Sequence, residues 1–199
     1  MRALDHAVEL MYHPLASEIP TKRLCLEAIR DLFTYLPQSK TSPDDAEIRT
    51  KLFLACYASL FPFLFSGGVG LSHSIGHAIG ASYAIPHGIT SCLSLAPVVH
   101  LKANNPDEAK QIARIIPYIN KSSAGDNNKD AHVVADAIAD LVEQLGLKTT
   151  LTAVSLDQML VFASTDMFAV QRAYWRRRGE RHRVSGSARR QGPQRSRQL

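Results

Sequence analysis

Cysteine is scarce in this chain. Cys25, Cys56 and Cys92 are the only three in 199 residues, far apart and without a CxxC pair. An odd number at such spacing excludes a disulfide framework and fits reduced thiols inside a cell. A membrane-spanning run is also missing: the apolar stretch from Leu52 to Phe65 is too short and holds Pro62. The N-terminal segment does not read as a secretory signal, because Arg2, Asp5, His6 and Glu9 stand where apolar residues would be. These absences predict a cytoplasmic protein. Strand-like alternation and internal repeats are lacking as well, which predicts an all-α domain.

Charge is present but unevenly placed. Residues 1–171 hold 13 Lys and Arg against 17 Asp and Glu, whereas residues 172–199 hold ten Arg and one Glu. The net charge of +5 therefore describes the tail and not the domain. The expected organisation is an all-helical domain over 1–171 and an Arg-rich tail over 172–199. That tail, poor in apolar residues, is read as disordered or aberrant. Nucleic acid is not an expected partner, because the arginines lack interleaved aromatics beyond Tyr174 and Trp175.

Along the domain, helical punctuation is dense. Met1 to about Tyr12 is helix-like but uncapped. Leu24, Ala28, Leu32 and Leu36 predict a second helix ended by Pro37. Ser42-Pro43-Asp44-Asp45 predicts a start with Ser42 as the cap, and that helix should run towards Phe65 and stop at Ser66-Gly67-Gly68. A histidine-bearing helix is expected over Val69 to Tyr83, and another after His87 to about Lys102. Asn105-Pro106 starts a further one. The stripe Val134, Ile138, Leu141, Leu145 is closed by Gly146, and Ser155 caps a last helix through Ala163.

The chemistry concentrates in Gly70-Leu-Ser-His73-Ser-Ile-Gly-His77-Ala-Ile-Gly80 and Pro86-His87-Gly88. His73 and His77 are four apart and share a helix face, and His87 follows a turn that can fold back over it. Imidazole pairs at this spacing suit zinc or iron. A metalloprotease needs Glu directly after the first histidine; Ser74 stands there, which excludes that hydrolase. What remains is a metal that polarises an oxygen, or a histidine that relays a proton. His13, His100, His132 and His182 lack such a setting and receive no role.

The pattern Gly70-x-x-His73-x-x-x-His77-x-x-Gly80 followed by Pro86-His87-Gly88 resembles the signature of iron-containing (group III) alcohol dehydrogenases, a superfamily that includes maleylacetate reductases. Arg2-Ala3-Leu4-Asp5-His6-Ala7-Val8-Glu9 resembles that family's upstream ligand helix. The likeness covers roughly residues 1–160 and implies the family's all-α, multi-helix C-terminal domain. It further implies that His6, His73 and His87 are metal ligands for Fe2+ or Zn2+. By the same resemblance, His77 lies beside the nicotinamide and substrate as the catalytic and cofactor-contacting residue. The implied reaction is NAD(P)-dependent interconversion of an alcohol and a carbonyl. Expected partners are a small alcohol, aldehyde or oxo-acid and a second copy of the chain as a homodimer.

Two departures accompany the resemblance. Arg2 occupies the place of a carboxylate ligand four residues before His6, which suits the maleylacetate-reductase-like branch better. Asp5, one residue from His6, points about 100° away on a helix and is a poor replacement. The dinucleotide-binding α/β domain of the family is not seen: Gly67-Gly68-Val69-Gly70 lies between helices, not after a strand. The reading is therefore a fragment of a longer dehydrogenase, inactive by itself. The rival reading is a non-catalytic helical binding protein whose basic tail contacts an anionic partner.

Overall fold

The computed structural model describes residues 1–62 and 70–154, which belong to one compact unit, Met1–Ser155. Seven α-helices make up most of it: α1 Arg2–Tyr12, α2 Arg23–Thr41, α3 Ala46–Leu60, α4 Leu71–Tyr83, α5 His87–Lys102, α6 Pro106–Ala113 and α7 Asn127–Gln144. Short helical turns at Glu18–Lys22 and Ile116–Ile119 join them. No strand occurs among the described residues, so the all-α expectation holds. The expected cap at Ser155, Gly67, Gly68 and Val69, His182 and the Arg-rich tail all lie outside the described residues.

α1 is the axis of the core. Every residue from Leu4 to Tyr12 is buried, because α2, α3, α5 and α6 all pack against it. Leu4, Ala7, Val8, Leu10 and Met11 meet Cys25, Ile29 and Leu32 of α2, Leu95 and Val99 of α5, Ile112 of α6 and Ile138 of α7 in one continuous apolar cluster. An apolar helix enclosed on all sides gains its stability from that burial more than from its ends, which explains how α1 does without a side-chain cap. Three polar residues interrupt it, Asp5, His6 and Glu9, and all three are buried. Buried ionisable groups at i, i+1 and i+4 mark a polar stripe on a core helix, and this stripe builds the site.

Local starts and stops follow the sequence at several points and depart from it at others. Asn105 caps α6 by accepting from the Asp107 and Glu108 amides at 3.0 and 3.2 Å. Gly146 takes φ +74 just beyond α7, a conformation that suits glycine. Pro37 does not end α2. The helix continues to Thr41, since a proline removes only one N–H bond and the turns beyond it close normally, with the Ser42 amide donating to the Gln38 carbonyl at 2.9 Å. Ser42 is accordingly the end of α2 and not the cap of α3. That cap is Asp45, whose Oδ1 accepts from the Glu47 and Ile48 amides at 2.9 and 3.0 Å. α3 ends at Leu60, short of Phe65, and it turns Phe53, Leu54 and Tyr57 to solvent while Ala55 and Ser59 face inward.

α4 and α5 form the arm that carries the histidines. Gly76 lies so close to Thr90 that an added Cβ would stand 2.9 Å from its hydroxyl oxygen. Ser72 and Ser94 bond hydroxyl to hydroxyl at 2.8 Å. After Tyr83 the chain reverses through Ala84 at φ 54, and Pro86 precedes the first turn of α5. This three-residue reversal returns His87 over the His77 face.

Candidate metal centre

Four imidazoles converge where α1, α4 and the start of α5 meet. His6 stacks on His73 with ring centroids 4.6 Å apart and planes 18° from parallel. His87 meets His73 edge-on at 5.1 Å, and His77 lies 5.2 Å from His87 and 6.2 Å from His73. The three histidines assigned as ligands by resemblance are thus brought together from two segments more than 60 residues apart. His6 and His73 are buried, His87 is partly covered, and His77 is exposed.

Hydrogen bonds at the far side of two rings decide which nitrogen faces inward. The His73 Nδ1–H donates to Glu9 Oε2 at 2.8 Å. The Thr90 hydroxyl gives its hydrogen to the His87 carbonyl at 2.8 Å, so its oxygen is left to accept from His87 Nδ1–H at 3.2 Å. In both residues Nε2 remains, and both Nε2 atoms are buried without a hydrogen-bond partner. Buried polar atoms are rarely orphaned, and an imidazole nitrogen left so within a histidine cluster is one that a metal ion would satisfy. Neutral imidazole nitrogens suit divalent zinc or iron, so these residues fit such an ion.

Glu9 does more than orient His73. α4 has no side-chain cap of its own at Gly70. The Glu9 carboxylate, projecting from α1, accepts from the Gly70 amide at 3.0 Å and from the Ser72 amide at 2.6 Å. It therefore caps the positive end of α4 from another helix while holding His73. A Cβ on residue 70 would run into this carboxylate, so glycine is required there by space. Sequence spacing missed Glu9. The available signals were an acid four residues after Asp5 inside an apolar helix, and a histidine helix starting at glycine with no local cap.

Asp5 is 1% exposed and its Oδ1 lies 3.4 Å from His73 Nδ1. It faces the site from the Glu9 side and does not take the ligand place vacated at Arg2. Asp5, Glu9 and His73 do place one potential ligand atom each within 4.8 Å of one another. A cation there would have to break the Glu9 bonds that cap α4, whereas the orphaned Nε2 is at the opposite end of the His73 ring. The carboxylates are thus support for the imidazole.

Charge reinforces these roles. Burial alone would lower the His73 pKa, but the hydrogen bonds and charges of Asp5 and Glu9 outweigh it and raise it to about 9. Burial, the neighbouring His73 charge and Arg2 push His6 down to about 4. Burial together with Arg2 and His73 also lowers His87. Without metal at neutral pH, His73 holds a proton and His6 is a neutral donor. None of the four histidines lines the apolar groove of about 480 Å³ on the Leu71, Ile75 and Ile79 face of α4. The other described histidines are placed apart: His13 Nδ1 accepts from the Leu15 amide, and His100 bonds His132 and Asp136.

One expectation follows from the tight crossing of α4 and α5. Gly76→Ala should displace Thr90, which is β-branched and tied to the His87 carbonyl, and should free the His87 ring to rotate. A loss of about 1–3 kcal/mol is expected in thermal or denaturant unfolding, with weaker metal uptake. An unchanged midpoint and unchanged uptake would show that the crossing tolerates a methyl group.

The fold and the site define an all-helical domain in which a buried carboxylate orients one of several clustered histidines. Residues 1–173 match the family model described as Fe-containing alcohol dehydrogenase family, C-terminal, and the chain belongs to this family. Its relatives include the 1-propanol dehydrogenase of Salmonella typhimurium, 33% identical over 148 residues, which cover 74% of this chain and 38% of that protein. They also include maleylacetate reductase 2 of Cupriavidus pinatubonensis, 36% identical over 87 residues, or 44% of this chain and 24% of that one. Among solved structures, the alcohol dehydrogenase from Oenococcus oeni superposes with a TM-score of 0.70 at 23% identity, over 77% of this chain and 39% of the other. That likeness shows the fold. The chain spans about two fifths of the length of such relatives. Among the described residues, no helix is long and apolar enough to cross a membrane.

Proposed function

We propose that this chain is the metal-holding helical part of an NAD(P)-dependent enzyme that interconverts a small alcohol and its aldehyde, ketone or oxo-acid. His6, His73 and His87 would hold Fe2+ or Zn2+. The observation that carries this reading is the pair of buried, unpartnered Nε2 atoms on His73 and His87, each fixed in its tautomer by a bond at Nδ1. When bound, such an ion supplies a positive charge that polarises an alcohol or carbonyl oxygen.

The chain's own residues have distinct parts in that chemistry. Glu9 keeps the His73 ring from rotating, and Thr90 does the same for His87. Burial holds the His6 pKa down at about 4, so the ring is neutral at working pH. His77 is the exposed member of the cluster, within 5.2 Å of the His87 ring centre. From there it can pass a proton between a bound substrate and solvent, and it is the residue that would border the nicotinamide.

Metal content of the purified chain tests the reading. A stoichiometric divalent metal is expected in the wild type and is expected to be lost in the His73→Ala/His87→Ala double variant. Equal trace metal in both would remove the ligand assignment. The 199-residue chain alone is expected not to oxidise NAD(P)H with a carbonyl substrate. Oxidation that His77→Ala abolishes would replace this with a self-sufficient enzyme.

A further inference from the structure

Spacing along the chain left His100 and His132 without a role, because 32 residues separate them. Packing brings them together. His100 is in the last turn of α5 and His132 in the second turn of α7, and their Nδ1 atoms are 2.8 Å apart. The ring centroids are 5.1 Å apart and the planes are inclined by 32°. Along α5, His100 is roughly 20 Å from His87, so this pair is distinct from the four-histidine cluster.

Asp136 follows His132 by one turn of α7, and its Oδ1 lies 3.2 Å from His100 Nε2. That negative charge favours the His100 tautomer with its hydrogen on Nε2. Nδ1 of His100 is then a lone pair, and His132 Nδ1–H donates to it. The two backbones beneath the pair are fixed. Val99 beside His100 and Ala131 beside His132 are fully buried in the core that α5 and α7 share. The outer side is open, with His100 41% and Asp136 68% exposed. An ion can therefore reach the pair from solvent, and water can complete its shell.

We infer that His100 and His132 form a surface site for a late first-row divalent cation such as Ni2+, Cu2+ or Zn2+, bridging α5 and α7. Imidazole suits these ions. Adjacent ligand positions on an ion with bonds of about 2.0–2.1 Å are roughly 3 Å apart, close to the spacing that the two Nδ1 atoms already have. On binding, His132 moves its hydrogen from Nδ1 to Nε2 by exchange with water, and both rings turn their lone pairs towards one ion. Asp136 stays behind His100 as the outer carboxylate that sets its tautomer. With two protein ligands, this ion exchanges with solvent. The site is filled by titration, whereas metal retained through purification belongs to a buried centre. An ion that ties α5 to α7 also stabilises the fold in proportion to its occupancy.

Ni2+, titrated calorimetrically into the full chain at neutral pH, is the probe. His100→Ala and His132→Ala should each bind one equivalent fewer than wild type, with that equivalent in the micromolar range. Reading the difference cancels whatever the other histidines bind. Asp136→Asn keeps both ligands and should weaken the same equivalent about tenfold. Saturating Ni2+ should raise the thermal midpoint of wild type by several degrees more than that of His100→Ala. A merely structural hydrogen bond between the rings would give no such metal-dependent difference. Equal stoichiometry in wild type and both alanine variants overturns the inference, and so does an equivalent that binds only at millimolar Ni2+. Unchanged affinity in Asp136→Asn overturns the tautomer on which the geometry stands. Should His132→Ala lose its helical circular dichroism, His100→Ala, altered at the more open ring, decides alone.

Discussion

Glu9→Gln is expected to lower the stability of the domain by about 3 kcal/mol and to weaken divalent-metal binding by 100-fold or more. The isosteric change places an NH2 group among three donors: the Gly70 amide, the Ser72 amide and His73 Nδ1–H. At least one buried donor then loses its acceptor and faces another donor. Each such loss costs about 1–3 kcal/mol, more when a charged acceptor is removed. For a domain of this size, the thermal midpoint should fall by roughly 6–12 °C. The metal effect has a separate origin. With Nδ1 no longer held, the His73 ring can turn its Nε2 away from His87, and the geometry that depends on both rings is lost. Measured melting curves and Co2+ titrations should show both losses. A variant that melts like wild type but loses metal would confine Glu9 to ring orientation. A variant that loses neither would remove it from the site.

The second large effect is with pH. His73 carries a raised pKa of about 9 in the metal-free fold, and a ligand nitrogen must lose its proton to bind metal. Metal affinity should therefore rise about tenfold per pH unit up to about pH 9, or about 100-fold from pH 7 to 9, and then level off. Since His6 is held down at about 4, it adds no second proton to the competition until the solution is strongly acidic. Glu9→Gln should move the levelling point to lower pH, because one of the groups that holds the His73 proton is gone. A pH-independent affinity between 6 and 9 would contradict the assignment of His73 as ligand.

The same two shifts have opposite consequences for the metal-free fold. His73, raised above its unfolded value near 6.5, contributes stability that is fully present below that pH and is lost as pH rises towards 9. His6, lowered, destabilises the fold as pH falls from 6.5 towards 4, because the unfolded chain takes up the proton more readily. As far as this cluster decides it, the metal-free domain should be most stable near pH 6.5.

Much of this protein was legible before its structure. Helix identity follows from short-range period and punctuation, so the four-residue recurrences, Asn105-Pro106 and Gly146 mark elements where they stand. The spacing of His73, His77 and His87 indicated rings that would meet, and they do; the signature pointed to the family. Where local signals competed, as at Ser42 against Asp45, the chain chose the residue free to cap, because Ser42 was already closing α2. Arg2 was readable as a departure from the family's ligand helix.

What tertiary structure alone decided lies between residues distant in the chain. Glu9 caps a helix that starts 61 residues later and holds a ring 64 residues later, and no periodicity encodes such a bond. Asp5 looked misdirected on a helical wheel, since a wheel shows the angle to His6 and not that α4 would bring His73 against the same side of α1. The tautomers of His73 and His87 were likewise settled by Glu9 and Thr90, and these determine which nitrogens point into the centre. Spacing along a chain specifies which residues share a face. Only packing of one face against another specifies what that face can bind.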